Sequence, residues 1–224
     1  MARNKHSGWG FVVLTILSFA SLMLELVVML LQPEGLKLSF SNWALRQIVL
    51  HWVYTCIVWG LAVFLMYMYS KKKLNFDVFD YRDKPSAKAL LWALGLLVIA
   101  TLGMTMEWGQ FKPIAEFHSL SLLYGKMGII AFIFQYVYYL FEAMLIVLTI
   151  VFGQKAGELL FRKTNIPWGG LASGVFWGLP HLFTKNLLTG VLGFLVSILY
   201  GVAYLLVKKN VRFAYPLIFL MFVL

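Results

Sequence analysis

The chain has 224 residues, 62% of them hydrophobic and only 12% charged, with a formal net charge of +10 and a mean hydropathy of +0.84. A water-soluble domain of this length is about half apolar and about a quarter charged, so composition excludes that class. It predicts an all-α polytopic membrane helix bundle, a single integral-membrane domain over residues 1–224. The single cysteine, Cys56, excludes an internal disulfide and a thiolate-rich metal site.

The basic N-terminus leads into the apolar run Gly10–Leu31. That run is too long for the core of a secretory signal and has no small-residue cleavage site, so a retained first helix is expected. Runs of about 20 apolar residues suffice to cross a bilayer. They predict further spans at Gln47–Tyr69, Ala89–Met106, Met127–Gly153, Trp168–Phe183 and Leu187–Val207, with the short Phe213–Leu224 as a seventh. With the N-terminus inside, fourteen cations lie on the inner side: Arg3, Lys5, Lys71, Lys72, Lys73, Arg82, Lys84, Lys88, Lys155, Arg162, Lys163, Lys208, Lys209 and Arg212. Lys37, Arg46, Lys112, Lys126 and Lys185 are the five outside. This asymmetry sets the N-terminus in the cytoplasm. It also assigns the positive charge to anionic headgroups of the bilayer, with no nucleic acid needed.

Between the third and fourth spans, Glu107–Lys126 is too polar to cross. Ile114, Phe117, Leu120, Leu122 and Leu123 can share one helical face there, which predicts an outer interfacial helix. Residues 1–126 thus hold the N-terminal helices and this segment, and 127–224 the remaining core. Within that core Gly170, Gly174 and Gly178 face the stripe Gly193, Ser197 and Gly201, spacing that lets two helix backbones approach closely. Phe213–Leu224 rises only about 18 Å, so it is expected to be half-buried against protein and water or to continue in a tail.

Ionisable side chains at membrane depth are costly and mark a functional site or a buried structural pair. On the fourth span Gln135, Glu142 and Thr149 are seven apart, which puts them on one face, with Tyr138 or Tyr139 between. On the fifth, Trp177 precedes His181 by one turn. Glu142 lies eleven residues from Gly153, and His181 thirteen from Trp168. At 1.5 Å per residue both are roughly 16–20 Å from the inner ends, so they can share one cavity near mid-bilayer. Two readings stand: a packing pair, or a site.

A glutamate on one helix and an aromatic-x-x-x-His on the next resemble the CAAX-protease and bacteriocin-processing family of intramembrane glutamic proteases. That family carries Glu-Glu-x-x-x-Arg, then aromatic-x-x-x-His, then His-x-x-x-Asn or similar on a last helix. Trp177-Gly-Leu-Pro-His181 fits the second motif, and Gly201–Pro216 resembles the family's glycine-tyrosine-leucine helix, basic turn and proline. The resemblance covers roughly Gln135–Leu224. For the first motif, Glu142 matches by depth, with Phe141 in place of the paired acid. Glu158 and Arg162 match better by letters, but Glu158 would need a roughly 25 Å shift to meet His181; the two otherwise form an exposed i,i+4 pair. The third motif departs, with Leu220 and Leu224 at the polar positions.

The resemblance implies an endopeptidase of the bacterial plasma membrane that cleaves a peptide, or a prenylated or bacteriocin-type substrate, through a Glu-activated water. Glu142 and His181 would be catalytic, and Gln135, Tyr139 and Trp177 would bind substrate. The alternative is an inactive relative acting as an immunity, scaffold or regulatory partner of another membrane protein. A small transporter is a third class, without the paired broken helices that mark many transporter sites. Near the outer surface an Arg46–Glu25 ion pair is expected; alternatively His51 replaces the family's second histidine opposite His181. His118 is expected at headgroup level. No His-Glu-x-x-His or cysteine cluster suggests a metal, and no glycine-rich phosphate loop or other motif suggests a cofactor.

Overall fold

The computed structural model describes residues 3–32, 43–80, 83–184 and 186–224. It is helical, with no strand among the described residues. Four stretches are long and apolar enough to cross a membrane: Gly8–Leu30, Leu45–Lys73, Ala87–Phe161 and Leu187–Leu206. The apolar side chains left exposed on them, such as Ile57, Leu91, Trp92 and Met106, form an outer surface compatible with lipid.

The first apolar run is two helices, α1 (Arg3–Leu22) and α2 (Leu24–Leu30), broken at Met23. Before the break, Thr15, Ser18 and Ser21 each donate a hydroxyl to the carbonyl four residues back, at 2.7, 2.8 and 2.7 Å. Such back-bonding bends helices, and here it turns Glu25 toward the bundle. Helix α3 (Leu45–Lys73) closes on Lys71, Lys72 and Lys73, cations that complement the negative end of the helix dipole.

The long stretch Ala87–Phe161 contains two long helices and a short one between them. Helix α4 (Ala87–Trp108) starts under a Ser86 cap and stops at Gly109, whose left-handed φ of 69° favours glycine. Helix α5 (Lys112–Tyr124) is the expected interfacial segment, with its polarity inverted. It buries Lys112, Ala115 and Glu116 and exposes Ile114, Phe117, Leu122 and Leu123; His118 is exposed as well. Charged residues therefore face the bundle and apolar ones face outward, as lipid contact requires. Helix α6 (Gly128–Phe161) is 34 residues, about 51 Å long, and packs against α1, α3, α5, α10 and the next helix, α7 (Trp168–Ser173).

The expected span Trp168–Phe183 is not one helix. The six-residue α7 passes into a π-helical turn, Gly174–Gly178, then a turn at Leu179 and Pro180, then the four-residue α8 (His181–Thr184). Glycines hold this broken segment on α9 (Leu187–Leu206). A Cβ on Gly170 would sit 2.7 Å from the Ser197 carbonyl oxygen, and one on Gly178 would sit 2.6 Å from the Phe194 amide. The two stripes thus oppose each other antiparallel, Gly170 against Gly201 and Gly178 against Gly193. Helix α10 (Val211–Val223) is too short to cross, and it buries Ala214, Leu217, Ile218, Met221 and Phe222 against the bundle.

Candidate functional site

A cavity of about 430 Å³ opens among α2, α3, α4, α5, α6, the broken segment, α9 and α10. A smaller cavity of about 210 Å³ adjoins it, and Glu25, Tyr138, Glu142, Trp177 and His181 line both. Glu142 and His181, 39 positions apart in sequence, are therefore walls of one space. The broken segment puts His181 there, because the turn at Leu179 and Pro180 starts α8 on the histidine itself. Its ring packs against Trp177 at 5.1 Å between centroids, and Trp177 packs on Phe222 of α10 at 5.8 Å.

Glu142 stands near the middle of α6, half-buried, within electrostatic reach of Tyr138, Tyr139 and Tyr200. Gln135, Tyr139 and Trp177 line the same cavity. Thr149, on the same face by spacing, does not: it is buried two turns further along α6 and donates its hydroxyl to the Leu145 carbonyl at 2.9 Å.

Two carboxylates, the half-buried Glu25 and the buried Glu116, brace the cavity wall. Glu25 accepts from the Tyr138 hydroxyl at 2.9 Å and meets His51 Nε2 at 3.2 Å; His51 Nδ1 in turn lies 2.9 Å from Gln32 Oε1. Glu116 accepts from the Tyr139 hydroxyl at 2.7 Å and from Tyr136 at 3.1 Å. Gln135 Nε2 donates to the Tyr139 oxygen at 2.6 Å, an orientation fixed because Tyr139 gives its one proton to Glu116. Lys112, only 4% exposed, donates to the Phe222 carbonyl at 2.8 Å. Its ammonium lies 4.6 Å from the Phe222 ring centre, 5.1 Å from Tyr139 and 5.9 Å from Trp108.

Several expectations are corrected. Glu25 pairs with His51 and Tyr138, whereas Arg46 is exposed: a short imidazole and phenol reach the bent α2 where the Arg46 side chain turns outward. His51 is fully buried between Glu25, Gln32 and the edge of Trp43 and does not line the cavity; Glu25 stands between. Glu158 is not paired with Arg162. It bonds Lys209 at 2.5 Å and Gln154 at 2.8 Å, while Arg162 caps α6 in a left-handed conformation and is exposed. Both belong to the Lys209 end of the molecule, outside the Glu142 cavity. From α10 the cavity receives Phe222, and Leu220 is exposed.

The sequence reading missed Glu107, Lys112 and Glu116. Their signal was present, since Lys112, Ala115 and Glu116 share a face opposite Ile114 and Phe117. Among the described residues no group of three or more His, Cys, Asp or Glu could hold a metal ion. No family model, curated protein or solved structure matches this chain.

Proposed function

We propose that the chain is an intramembrane endopeptidase, similar to the CAAX-protease and bacteriocin-processing family, with its N-terminus on the cytoplasmic side and Glu142 and His181 as its catalytic pair. One observation carries this reading: a carboxylate and an imidazole from separate helices line one cavity, beside a tryptophan. In the proposed reaction Glu142 takes a proton from water as the water oxygen attacks the peptide carbonyl. His181 donates to the developing oxyanion, and the proton held by Glu142 passes to the leaving nitrogen as the C–N bond breaks. Trp177 positions the imidazole, and Gln135 and Tyr139 contact the peptide. The substrate is a membrane-inserted peptide or lipidated chain end.

The test is to compare newly formed protein N-termini in cells making the unmodified chain, Glu142→Gln or His181→Ala. Removing the general base should lower turnover about 10³-fold, and removing the oxyanion donor by about 10²- to 10³-fold, at equal protein level. Unchanged processing in Glu142→Gln rules the reading out. One observation favours a second reading, a binding or immunity protein: the residue that α10 contributes to the cavity is Phe222, an apolar ring, and not a further hydrogen-bond donor. On that reading, no N-terminus depends on Glu142, and a partner protein co-purifies equally with both variants.

A further inference from the structure

Helix α5 forms one wall of the main cavity and lends it Lys112, Leu120, Leu123 and Tyr124. Its two ends are held in different ways. At the C-terminal end backbone meets backbone: a Cβ on Gly128 would sit 2.7 Å from the Leu120 carbonyl oxygen and 2.8 Å from the Ser121 Cα. Phe117 adds an edge contact with Phe132 of α6, ring centres 5.5 Å apart. At the N-terminal end the contacts are mainly polar. Lys112 donates to the Phe222 carbonyl at 2.8 Å, and Glu116 accepts from Tyr136 and Tyr139 at 3.1 and 2.7 Å. Close packing has no substitute in water, whereas polar bonds exchange for water at modest net cost.

The joints match this asymmetry. Gly125, at φ 58°, directly precedes the tight contact at Gly128, and Gly109, at φ 69°, separates α4 from α5. Both conformations favour glycine, and a Cβ on either would meet nothing within 4 Å, so no neighbour clamps these turns. The Lys112 ammonium fills a corner 4.6 Å from the Phe222 ring centre and 5.1 Å from that of Tyr139, both residues of the cavity wall. Withdrawing it widens the cavity next to Tyr139 and Gln135. Gln135 also keeps its carboxamide oxygen buried with no hydrogen-bond partner among the described residues. An orphaned acceptor destabilises the closed arrangement relative to one in which water or a guest reaches it.

We propose that α5 is a lid: it pivots about its Gly125 end, swings its Lys112 end away from α10, and so admits the guest of the main cavity beside Gln135 and Tyr139. Lids of this kind turn on a few residues at element ends. The device is independent of the peptidase reading, because Lys112, Glu116 and Tyr136 take no part in the proposed hydrolysis.

The test reads access to the cavity by cysteine labelling and needs no cleavage. It uses the full chain with Cys56→Ala in phosphatidylcholine nanodiscs, and trimethylammonium-ethyl methanethiosulfonate as the reagent. Val196→Cys puts a thiol in the cavity wall at a position only 5% exposed; Ala156→Cys, equally buried and outside the cavity, is the control. Lys112→Met should raise labelling at Val196→Cys roughly tenfold and leave Ala156→Cys unchanged. Glu116→Gln should raise it as well, although it removes charge of the opposite sign. Rates that move in opposite directions would mean that the two residues only set the local potential, and would overturn the proposal. Tyr136→Phe deletes one hydroxyl bond to Glu116, changes no charge and lies outside the cavity lining, so a roughly threefold rise at Val196→Cys must come through α5. Unchanged labelling in Tyr136→Phe, or a rise that Ala156→Cys shares, overturns the lid, and this variant decides even where Lys112→Met fails to fold.

Discussion

The two halves of α6 are built on different principles. From Ala143 to Gly157 nearly every residue is buried, Met144 and Lys155 excepted, whereas from Ile129 to Glu142 only Ala131 is. The C-terminal half carries Gly153 and Gly157, which let α1 and α7 close in: a Cβ on Gly153 would sit 3.0 Å from the Ala172 methyl and 3.4 Å from a Thr15 methyl. The N-terminal half carries Gln135, Tyr136, Tyr138, Tyr139 and Glu142, long polar side chains that hold their neighbours apart and leave the cavity between them. Small residues bring helices together in a membrane, while polar ones bind across a gap. Glu142 sits at the boundary, with close packing below it to fix its backbone and space above it for a guest.

The largest test of that contrast lies at the contact between α6 and α7. A Cβ on Gly169 would fall 2.0 Å from the Ile150 carbonyl oxygen, backbone against backbone, where no side chain can swing away. Gly169→Ala should cost about 3 kcal/mol or more, seen as a fall in the thermal midpoint or loss of monodisperse protein. Gly95→Ala is the control on lipid-facing α4, with nothing within 4 Å of the new methyl; it should be neutral or stabilising by up to about 1 kcal/mol. Equal stability of the two variants would remove the distinction between a packed half and an open one.

In the N-terminal half of α6 the expected losses are smaller. Tyr138→Phe deletes one of the two partners that Glu25 has among the described residues, the other being His51, and should cost about 1–2 kcal/mol. If Glu25 is what holds α2 against α6, the variant should speed hydrogen exchange in Leu24–Leu30 and leave the amides of α7 unchanged. Equal protection in both would mean that the polar brace does not position the cavity wall.

How much of this was legible in the sequence follows from which forces act locally. The long spans, the glycine stripes of α7 and α9 and the shared depth of Glu142 and His181 all follow from periodicity and rise per residue. The break in Trp168–Phe183 was hidden, because its residues are apolar and only Pro180 hints that the helix stops. The partners of Glu25 were hidden for a different reason. Choosing His51 over Arg46 depends on the bend at Met23, which arises from three hydroxyl back-bonds in α1. The inward charge of α5 could have been read from the Lys112, Ala115 and Glu116 face, had the helix been assigned one lipid side and one protein side.

The smallest effect is expected outside the bundle, where water replaces packing as the medium. In the segment between α3 and α4, Asp77 pairs with Lys71 at 2.8 Å and also accepts from the Phe79 amide at 2.9 Å. The lysine ammonium chiefly, and then the amide, hold the Asp77 carboxyl below its usual range, against a weaker opposing effect of burial. A value lowered by folding stabilises the folded chain fully above about pH 4, where unfolded aspartate is ionised too. That contribution is lost as pH falls through the lowered folded value. Both side chains are well exposed, at 50% for Lys71 and 35% for Asp77, so solvent screening leaves the pair only a small contribution to stability. Asp77→Asn should therefore lower the thermal midpoint slightly near pH 7, and the two curves should merge as the pH falls through the lowered folded value. High salt should shrink the gap at neutral pH, since screening acts on exposed pairs. A gap that survives both acid and salt would mean that Asp77 is held by the amide geometry of its turn, and that the charge of Lys71 contributes nothing.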